Sequence, residues 1–344
     1  MSHDVLLQDA RIVDGTGAPW FRGTVGVEDG RIETVTRGRD HGLSADIEVE
    51  LGGSVLAPGF IDTHVHSDLR LFDHPHLRAK TRQGITTEIL GQDGFSMAPM
   101  YREGGAQVWE EHLSALNGTT VDEWTWGSTS DYLDAIDDAG TAQNFGTLVG
   151  HGTVRFDVLG MANRSPDDGE LEEMADLVTE ALEQGALGFS TGLVYPPQVN
   201  SDTGEVQTLA AQLAPYGRPF VAHIRSESHW VWDALDEFAD IGGEEGIPVH
   251  LSHYKLSGYE QQGKADRSNH FIEACRERGI DFTAEQYPYT AGNTTLSAVL
   301  PPWVHVGDQA ETMARLRDEE TRERLRDELE GWQVDGWENK GLMA

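Results

Sequence analysis

The sequence Pro58-Gly59-Phe60-Ile61-Asp62-Thr63-His64-Val65-His66-Ser67-Asp68 decides the fold of this chain. Its apolar residues, with Val55-Leu56 before them, favour a strand that Pro58-Gly59 turns inward. Side chains alternate along extended backbone, so His64 and His66 should point to one side and Val65 to the other. Two such imidazoles can bind one zinc ion and leave a position open for water; the alternative is a pair of surface histidines on an edge strand.

After His66, extended stretches alternate with helical ones, which is typical of parallel βα units with right-handed crossovers. The strand that leads to His64 is followed by six more predicted strands: Gly84–Gly91, Gly146–His151, Ala186–Thr191, Phe220–Ile224, Ile247–His253 and Ile280–Ala284. Seven strands count towards the eight of a TIM-type barrel, whose active sites lie at the C-terminal strand ends. We therefore expect an α/β fold, a TIM-like (β/α)8 barrel that is incomplete because the eighth strand is not evident.

The regions around these strands have patterns of their own. The clearest predicted helix is Glu170–Gln184, with one apolar stripe and Gly185 at its end. The chain from 308 to 330 is charged and helical. Residues 92–143 form a long excursion whose tryptophans either line a substrate wall or pack helices onto the barrel.

The N-terminal part contains short predicted strands separated by turn signals such as Asp14-Gly15 and Asp29-Gly30. This pattern predicts a small β domain over residues 1–55, followed by a barrel domain over residues 56–344 that stops before strand eight. The strands predicted in the small domain are Val5–Leu7, Arg11–Val13, Thr24–Val27 and Arg31–Val35.

The charge balance is strongly acidic, with 25 Lys and Arg against 59 Asp and Glu and a net charge of −34. Such an excess argues against nucleic acid or an anionic membrane as a partner, and it predicts a halophilic protein whose self-repulsion is screened by salt. Cys275 is the single cysteine and lies on the apolar side of a helical pattern, which favours a core residue over a nucleophile. No signal-peptide pattern or membrane-length apolar run occurs, so a cytoplasmic location is expected.

Residue types that bind metals follow four of the predicted strands. His64 and His66 end the first strand, Asp93 follows the second, His223 ends the fifth and His253 ends the sixth. The C-terminal ends of barrel strands meet at one face, so these side chains should converge, although any one of them could be a hydrogen-bonded packing residue. Alternation sends His250 to the face opposite His253, and six further histidines are expected at the surface or in packing: His74, His76, His112, His229, His270 and His305.

The chain resembles the N-acyl-D-amino-acid deacylases (D-aminoacylases) of the amidohydrolase superfamily over most of residues 1 to about 305. The stretch 58–68 looks like the first barrel strand of that superfamily. The blocks that narrow the resemblance are Gly84-Ile-Thr-Thr, Gly94-Phe-Ser-Met-Ala-Pro99, Leu148-Val-Gly-His-Gly-Thr-Val-Arg155, Gly185-Ala-Leu-Gly-Phe-Ser-Thr-Gly-Leu-Val-Tyr-Pro-Pro197, His223-Ile-Arg-Ser-Glu227, Ser252-His-Tyr-Lys255 and Gln286-Tyr-Pro-Tyr-Thr-Ala-Gly-Asn-Thr-Thr295.

The resemblance implies zinc-dependent hydrolysis of an N-acyl-D-amino acid to a carboxylate and a free D-amino acid. It implies one or two zinc ions bound by four histidines, His64, His66, His223 and His253. Lys255 and Tyr287 would contact the carboxylate and the reacting carbonyl region of this small-molecule substrate, which suits their charge and phenol.

The sequence departs from the family pattern at three places. Asp93 stands where many members have a metal-binding cysteine, and a carboxylate is a competent but less soft zinc ligand. Asn293 stands where the family often has a serine that contacts the substrate. The strand-eight aspartate that moves the proton, and the downstream arginine, do not occur, so no catalytic residue is identified and the chain resembles about two thirds of such an enzyme.

Two alternatives remain open at this point. A cyclic amide hydrolase, of the hydantoinase or dihydroorotase type, usually bridges two metals with a carbamylated lysine near strand four, and strand four here has no lysine. The chain could instead be a truncated, non-catalytic zinc-binding protein. An open barrel would expose a strand edge, which predicts an oligomer or a complementing chain that supplies the eighth strand.

Overall fold

The computed structural model describes residues 2–38, 42–119, 124–295, 298, 300–306 and 309–331. Internal contacts group residues 1–60 and residues 61–344 into two compact units. The domain limits expected from the sequence, 1–55 and 56–344, stay a prediction. The strands of the first unit are β1 (Ser2–Ile12), β2 (Phe21–Glu28), β3 (Arg31–Arg37), β4 (Ser44–Glu50) and β5 (Val55–Leu56).

The first unit is one mixed sheet in the order β3-β2-β1-β4, with β5 also paired to β1. Strands β1, β2 and β3 are antiparallel neighbours, whereas β4 and β5 run parallel to β1. Asp29 and Gly30 join β2 to β3 with φ values of 49° and 71°, as a two-residue hairpin turn with both residues left-handed requires. Ala10, Ile12 and Val25 form its small core.

Strand β1 corrects one sequence prediction, because the two strands expected at Val5–Leu7 and Arg11–Val13 are a single strand. Its pairing with β2 shifts register between Leu7 and Ala10. Asp9 lies within this bulge at φ 55°, and the Arg22 guanidinium binds its carboxylate with an Nη2–Oδ2 distance of 2.6 Å. The bulge therefore depends on a partner 13 positions away, which local propensity does not reveal.

The strands of the second unit confirm the expected fold class. They are β6 (Phe60–Asp62), β7 (Ile85–Leu90), β8 (Asn144–Thr147), β9 (Val149–Gly150), β10 (Phe189–Gly192), β11 (Phe220–His223), β12 (Val249–Leu251) and β13 (Phe282–Ala284). They form two sheets, β6-β7-β8 and β9-β10-β11-β12-β13. The pairs from β9 to β13 are parallel, as is β7 with β8.

Strands β8 and β9 are the two halves of the third predicted strand. The first half pairs with β7 and the second with β10, and the Leu148 N–H between them donates to Leu90 O at 2.9 Å. All seven predicted strands are thus present in chain order. Among the described residues after Ala284 none is in a strand, so this is an incomplete barrel.

Helices separate the strands, as expected. They are α1 (Arg70–Asp73), α2 (Arg78–Thr81), α3 (Gly105–Asn117), α4 (Thr129–Asp138), α5 (His151–Leu159), α6 (Asp168–Glu183), α7 (Thr203–Ala210), α8 (Val231–Glu245), α9 (Ala265–Glu277), α10 (Gln309–Arg317) and α11 (Glu319–Gly331). Helix α6 matches the predicted stripe and begins with a capping box between Asp167 and Glu170. None of the described helices has both the length and the apolar composition needed to cross a bilayer.

Two apolar clusters form the core of the second unit. The larger lies between strands β9–β13 and helices α5–α9 and includes Cys275, which is 1% exposed, as expected of a core residue. The smaller contains Trp109 and Trp126, whose indole N–H groups donate to Ser96 O and Met97 O. These two tryptophans therefore pack helices of the excursion into the core. Of the two alternatives that the sequence left open, this is helix packing and not a substrate wall.

A buried ionic cluster also lies in this unit. Glu205 on α7 accepts from the Arg155 guanidinium and lies 2.7 Å from His151 Nε2. All three side chains are at most 3% exposed. The sequence analysis did not single out any of them, and the cluster lies outside the predicted site.

The first barrel strand is shorter than the sequence suggested. Val55–Leu56 belongs to the sheet of the first unit, and β6 ends at Asp62, so His64 and His66 follow the strand instead of lying in it. Val65 is still buried, at 4% exposure, within the smaller apolar cluster. The expected alternation between Val65 and its two flanking histidines therefore continues past the last paired residue.

Candidate metal centre

Asp93 lies in a tight turn at the C-terminal end of β7. The turn is a short 3-10 helix, Gln92–Gly94, in which Asp93 has φ 55° and ψ 27°. Gly94 N donates to Ser190 Oγ at 3.0 Å, and Gln198 Nε2 donates to Asp93 O at 2.8 Å. A Cβ atom on Gly192 would lie 2.3 Å from Asp93 O, so β10 approaches this turn as closely as glycine permits.

Four imidazoles surround the Asp93 carboxylate. Oδ2 lies 3.6 Å from His64 Nε2 and 3.3 Å from His66 Nε2. Oδ1 lies 3.5 Å from His253 Nε2 and 3.9 Å from His223 Nδ1. The structure thus brings together all five residues predicted as metal ligands, and the two carboxylate oxygens divide the histidines into two pairs.

The donor set fits a divalent cation such as zinc. Two ligand atoms at the usual zinc distances with tetrahedral geometry are about 3.4 Å apart, and the separations of 3.3–3.9 Å around Asp93 lie near this value. Within the described part of the chain, Asp93 Oδ1 and His223 Nδ1, which lie 3.9 Å apart, are buried without a hydrogen-bond partner. Buried polar atoms are normally satisfied, so unsatisfied atoms around one carboxylate indicate a site for a cation.

The electrostatics of the cluster favour the ionised carboxylate. Burial opposes charge on Asp93, but His64, His253 and His66 hold its pKa well below the usual range. Burial likewise opposes charge on His64, yet Asp93 and Glu285 raise its pKa to about 10. Burial, reinforced by protonated His253, lowers the pKa of His223 to about 4. The cluster therefore keeps a negative group at its centre.

Two further carboxylates contact the outer sides of these rings, and the sequence analysis did not assign them a role here. Glu285 Oε1 lies 2.8 Å from His64 Nδ1, and Glu227 Oε1 lies 2.8 Å from His253 Nδ1. Glu285 directly follows β13, and Glu227 closes the block that begins at His223. Ligand atoms of His223, Glu227 and His253 also lie within 4.8 Å of one another, as do those of His64, Asp93 and His253.

The predicted substrate-contacting residues lie at different distances from this cluster. Lys255 Nζ is 2.5 Å from Glu227 Oε1 and 5.6 Å from the centre of the Tyr287 ring. The Tyr287 ring centre is 6.5 Å from that of His253. Asn293 is exposed, and its role in substrate binding stays a prediction.

Tyr195 is a neighbour of the cluster that the sequence analysis missed. Its ring meets His223 edge-on with centres 5.1 Å apart, and its hydroxyl lies 2.9 Å from Thr294 Oγ1. The block Gly185–Pro197, quoted for the resemblance, contains it and was the available signal. His250 hydrogen-bonds Thr283 Oγ1 at 2.8 Å and is not among the imidazoles at Asp93, as the alternation argument expected. Strand β10, the fourth of the barrel, has no lysine.

Known proteins resemble this chain in sequence and in fold. The model of the amidohydrolase family matches residues 48–278. The D-aminoacylase of Alcaligenes xylosoxydans xylosoxydans is 34% identical over 304 residues, which cover 85% of this chain and 59% of that protein. Among solved structures, N-acyl-D-glutamate deacylase from Bordetella bronchiseptica, complexed with zinc and a phosphonate mimic of the tetrahedral intermediate, has a TM-score of 0.76 at 34% identity, covering 84% of this chain and 59% of its own.

A D-aminoacylase structure described by its binuclear metal centre has a TM-score of 0.78 at 30% identity, and the match covers 94% of this chain and 69% of that one. The chain spans about 59% of the length of the D-aminoacylase from Alcaligenes. The resemblance seen in the sequence is confirmed, and the family match covers more than half of the residues. This chain belongs to the amidohydrolase family.

Proposed function

We propose that this chain binds zinc through His64, His66, Asp93, His223 and His253, and that the site serves the hydrolysis of N-acyl-D-amino acids. The reaction breaks the amide bond by adding water and yields a carboxylate and a free D-amino acid. The observation that carries the proposal is the ring of four imidazoles around one buried carboxylate. Similarity to a D-aminoacylase and a zinc-bound N-acyl-D-glutamate deacylase supports it.

When bound, zinc would act as a Lewis acid that polarises the amide carbonyl and makes water a better nucleophile near neutral pH. The chain's contribution is to present the ligands already assembled. Because each Asp93 oxygen faces a different pair of histidines, the residues that would hold one or two zinc ions form two groups, His64 with His66 and His223 with His253. The cysteine common in the family would offer a single sulfur at this position, so Asp93 favours a harder metal than thiolate does.

Lys255, Tyr287 and Asn293 are the proposed contacts for the substrate. The Lys255 ammonium suits the carboxylate of an N-acyl amino acid, and the Tyr287 hydroxyl can donate to the oxygen of the reacting amide. Lys255 is held by Glu227 at 2.5 Å, so a substrate carboxylate would share this cation with Glu227. Preference for the D configuration rests on the similarity to the deacylases.

Proton transfer is the step for which the described residues offer no free group. Asp93, Glu227 and Glu285 each lie against at least one histidine, so none is available to take a proton from water and pass it to the leaving amine. We propose that this group comes from outside the described residues, in a further segment, an oligomer or a complementing chain. Loss of a general base costs about 10²–10⁴-fold in rate, so the described residues without that group should turn over substrate slowly.

The test is elemental analysis of protein purified in high salt, paired with release of free amino acid from N-acetyl-D-methionine and from its L isomer. Bound zinc with D-selective release supports the whole proposal. Bound zinc without release retains the metal site and shows that the missing general base must be supplied. Absence of bound metal after incubation with zinc overturns the proposal.

Two further parts of the proposal concern the setting of the protein. The strongly acidic composition supports a halophilic protein, because salt screens its self-repulsion. The single cysteine excludes a disulfide within the chain, which supports a cytoplasmic location; fractionation of the source cells would test it. Nucleic acid and anionic membrane are not proposed as partners, since a net charge of −34 repels both.

A further inference from the structure

Two of the four imidazoles at Asp93 carry a carboxylate on the ring nitrogen that faces away from it. His64 directs Nε2 to Asp93 and has Glu285 Oε1 2.8 Å from Nδ1. His253 directs Nε2 to Asp93 and has Glu227 Oε1 2.8 Å from Nδ1. One histidine of each pair therefore has the same arrangement, on opposite sides of the Asp93 carboxylate.

The chemistry of imidazole determines which ring nitrogen carries the proton in this arrangement and which one is free to bind a metal. A neutral histidine carries its proton on one ring nitrogen and offers a lone pair on the other. An ionised carboxylate only accepts hydrogen bonds, so a carboxylate at Nδ1 holds the proton there and leaves the Nε2 lone pair for a metal.

Each carboxylate is itself held in place. Glu285 accepts from the backbone N–H of His253, and Tyr254 N donates to its backbone oxygen at 2.7 Å. Glu227 accepts from Lys255 Nζ, which also lies 3.1 Å from His253 Nδ1 and donates to His253 O at 3.1 Å. The side chains of Glu227 and Glu285 are 19% and 17% exposed. Neither group is a mobile surface acid that meets the histidine by chance.

We propose that Glu285 and Glu227 are positioning residues that fix the metal-binding tautomer and ring orientation of His64 and His253. The inference rests on the metal site of the proposed function and extends it to two residues that the ligand set does not include. Such outer carboxylates typically account for 10–100-fold in metal affinity. Glu227 has a second task, since it also carries the charge that balances Lys255.

The experiment measures Zn²⁺ affinity of chelator-treated protein by competition with a chelating dye, and records the absorption spectrum of the Co²⁺-loaded form. The variants are Glu285→Gln and Glu227→Gln. The glutamine amide can donate as well as accept, so it no longer selects one tautomer. We expect each variant to bind Zn²⁺ 10–100-fold more weakly and to show an altered Co²⁺ spectrum. Glu285→Asp and Glu227→Asp, which keep an acceptor, should recover part of the affinity.

Two controls separate positioning from other effects. Glu170→Gln removes a carboxylate paired to Arg164, 23% exposed and outside the site; its Zn²⁺ affinity should equal that of the wild type even if its melting temperature falls. Glu227→Gln combined with Lys255→Met removes the unbalanced lysine charge. If this pair restores wild-type affinity, charge repulsion explains the loss and the positioning role of Glu227 is overturned.

The outcomes also distinguish this inference from the proposed function. Wild-type Zn²⁺ binding with affinities of both glutamine variants within about threefold of it overturns the positioning role and leaves the metal site standing. Failure of the wild type to bind Zn²⁺ overturns both. Weakened binding in the glutamine variants, with partial recovery in the aspartate variants, supports the inference whether or not the protein turns over substrate.

Discussion

Two buried carboxylates in the barrel unit have opposite surroundings. Glu205 is contacted by the Arg155 guanidinium and by His151, with both partners at hydrogen-bonding distance. Asp93 is surrounded by imidazoles at 3.3–3.9 Å, and its Oδ1 has no hydrogen-bond partner among the described residues. The first carboxylate is neutralised by a cation that the chain supplies, whereas the second has the spacing of a site that takes its cation from solution.

The largest expected effect comes from breaking the buried ion pair of Glu205 and Arg155. Glu205→Gln leaves the fully buried Arg155 without its counter-charge, and removal of one partner from a buried pair typically costs about 3–5 kcal/mol. The free energy of unfolding in urea, measured at high salt, should fall by this amount. The exposed pair variant Glu170→Gln should lose much less. Equal losses in the two variants would show that Arg155 finds another partner.

Removal of the unsatisfied carboxylate should change metal binding instead of folding. A structural zinc site releases about 10–16 kcal/mol over four ligands, so loss of one ligand in Asp93→Asn should weaken Zn²⁺ binding by about 3 kcal/mol, roughly 100-fold. Asparagine tolerates the left-handed backbone at this position, so the metal-free fold should remain.

The measurement is the same dye competition, with urea unfolding of the metal-free protein beside it. Asp157→Asn is the control, because this carboxylate accepts from the backbone N–H groups of Tyr101 and Arg102 away from the site. Unchanged Zn²⁺ affinity in Asp93→Asn would show that Asp93 is not a ligand. The proposed difference between Asp93 and Glu205 would then be wrong.

His112 belongs to neither the Asp93 cluster nor the Glu205 cluster, and its protonation makes folding stability depend on pH. His112 packs against Trp109, and its Nε2–H donates to Pro196 O. Burial lowers the pKa of His112 to about 4, slightly opposed by that hydrogen bond. Between pH 6.5 and 4 the unfolded chain binds a proton at this residue that the folded chain does not, so folding stability falls as the pH falls through this window.

His112 contributes at most about 3 kcal/mol to this loss of folding stability. Its pKa is about 4 instead of 6.5, and a tenfold change in proton affinity corresponds to about 1.36 kcal/mol. His112→Gln keeps a donor for Pro196 O and has no charge to gain. Urea unfolding between pH 7 and 4 should therefore show a smaller loss of stability in this variant than in the wild type. Parallel curves for the two proteins would show that His112 is protonated without cost in the fold.

Salt should have the smallest effect and should act on neither cluster. Exposed charges are screened as the Debye length falls from about 30 Å at 0.01 M to about 3 Å at 1 M, whereas buried pairs are screened much less. A chain with a net charge of −34 should gain about 2–4 °C in melting temperature per kcal/mol of relieved repulsion. Glu205→Gln should show the same gain. A melting temperature independent of salt would contradict the halophilic proposal.

The strands and the grouping of His64, His66, Asp93, His223 and His253 could be predicted because their signals are local. Apolar runs that begin at or directly after a glycine or proline mark all seven barrel strands, and a histidine at the end of such a run is chemically distinctive. The bulge at Asp9 could not be predicted, since it depends on Arg22 across the hairpin. The split of the third strand at Leu148 also depends on which neighbour each half pairs with.

The sequence does not distinguish the two carboxylates that contact the metal-site histidines, Glu227 and Glu285, from the other acidic residues. Glu227 and Glu285 are two of 59 acidic residues, and only the fold places them against His253 and His64. The burial of Trp109 and Trp126 was likewise open, because an aromatic residue in a long excursion suits a substrate wall as well as a core. In each case the deciding partner is distant in sequence.

The ligand set also has a consequence for the order in which the molecule assembles. Its members run from His64 to His253, so an ion held by both closes a loop of 253 − 64 = 189 positions. Closing so long a loop lowers the entropy of the chain before any native contact can offset that loss. An ion shared by His64 and His253 would therefore not nucleate folding; it would bind only after the strands that carry these two residues have reached one another, and its release during unfolding would time their separation.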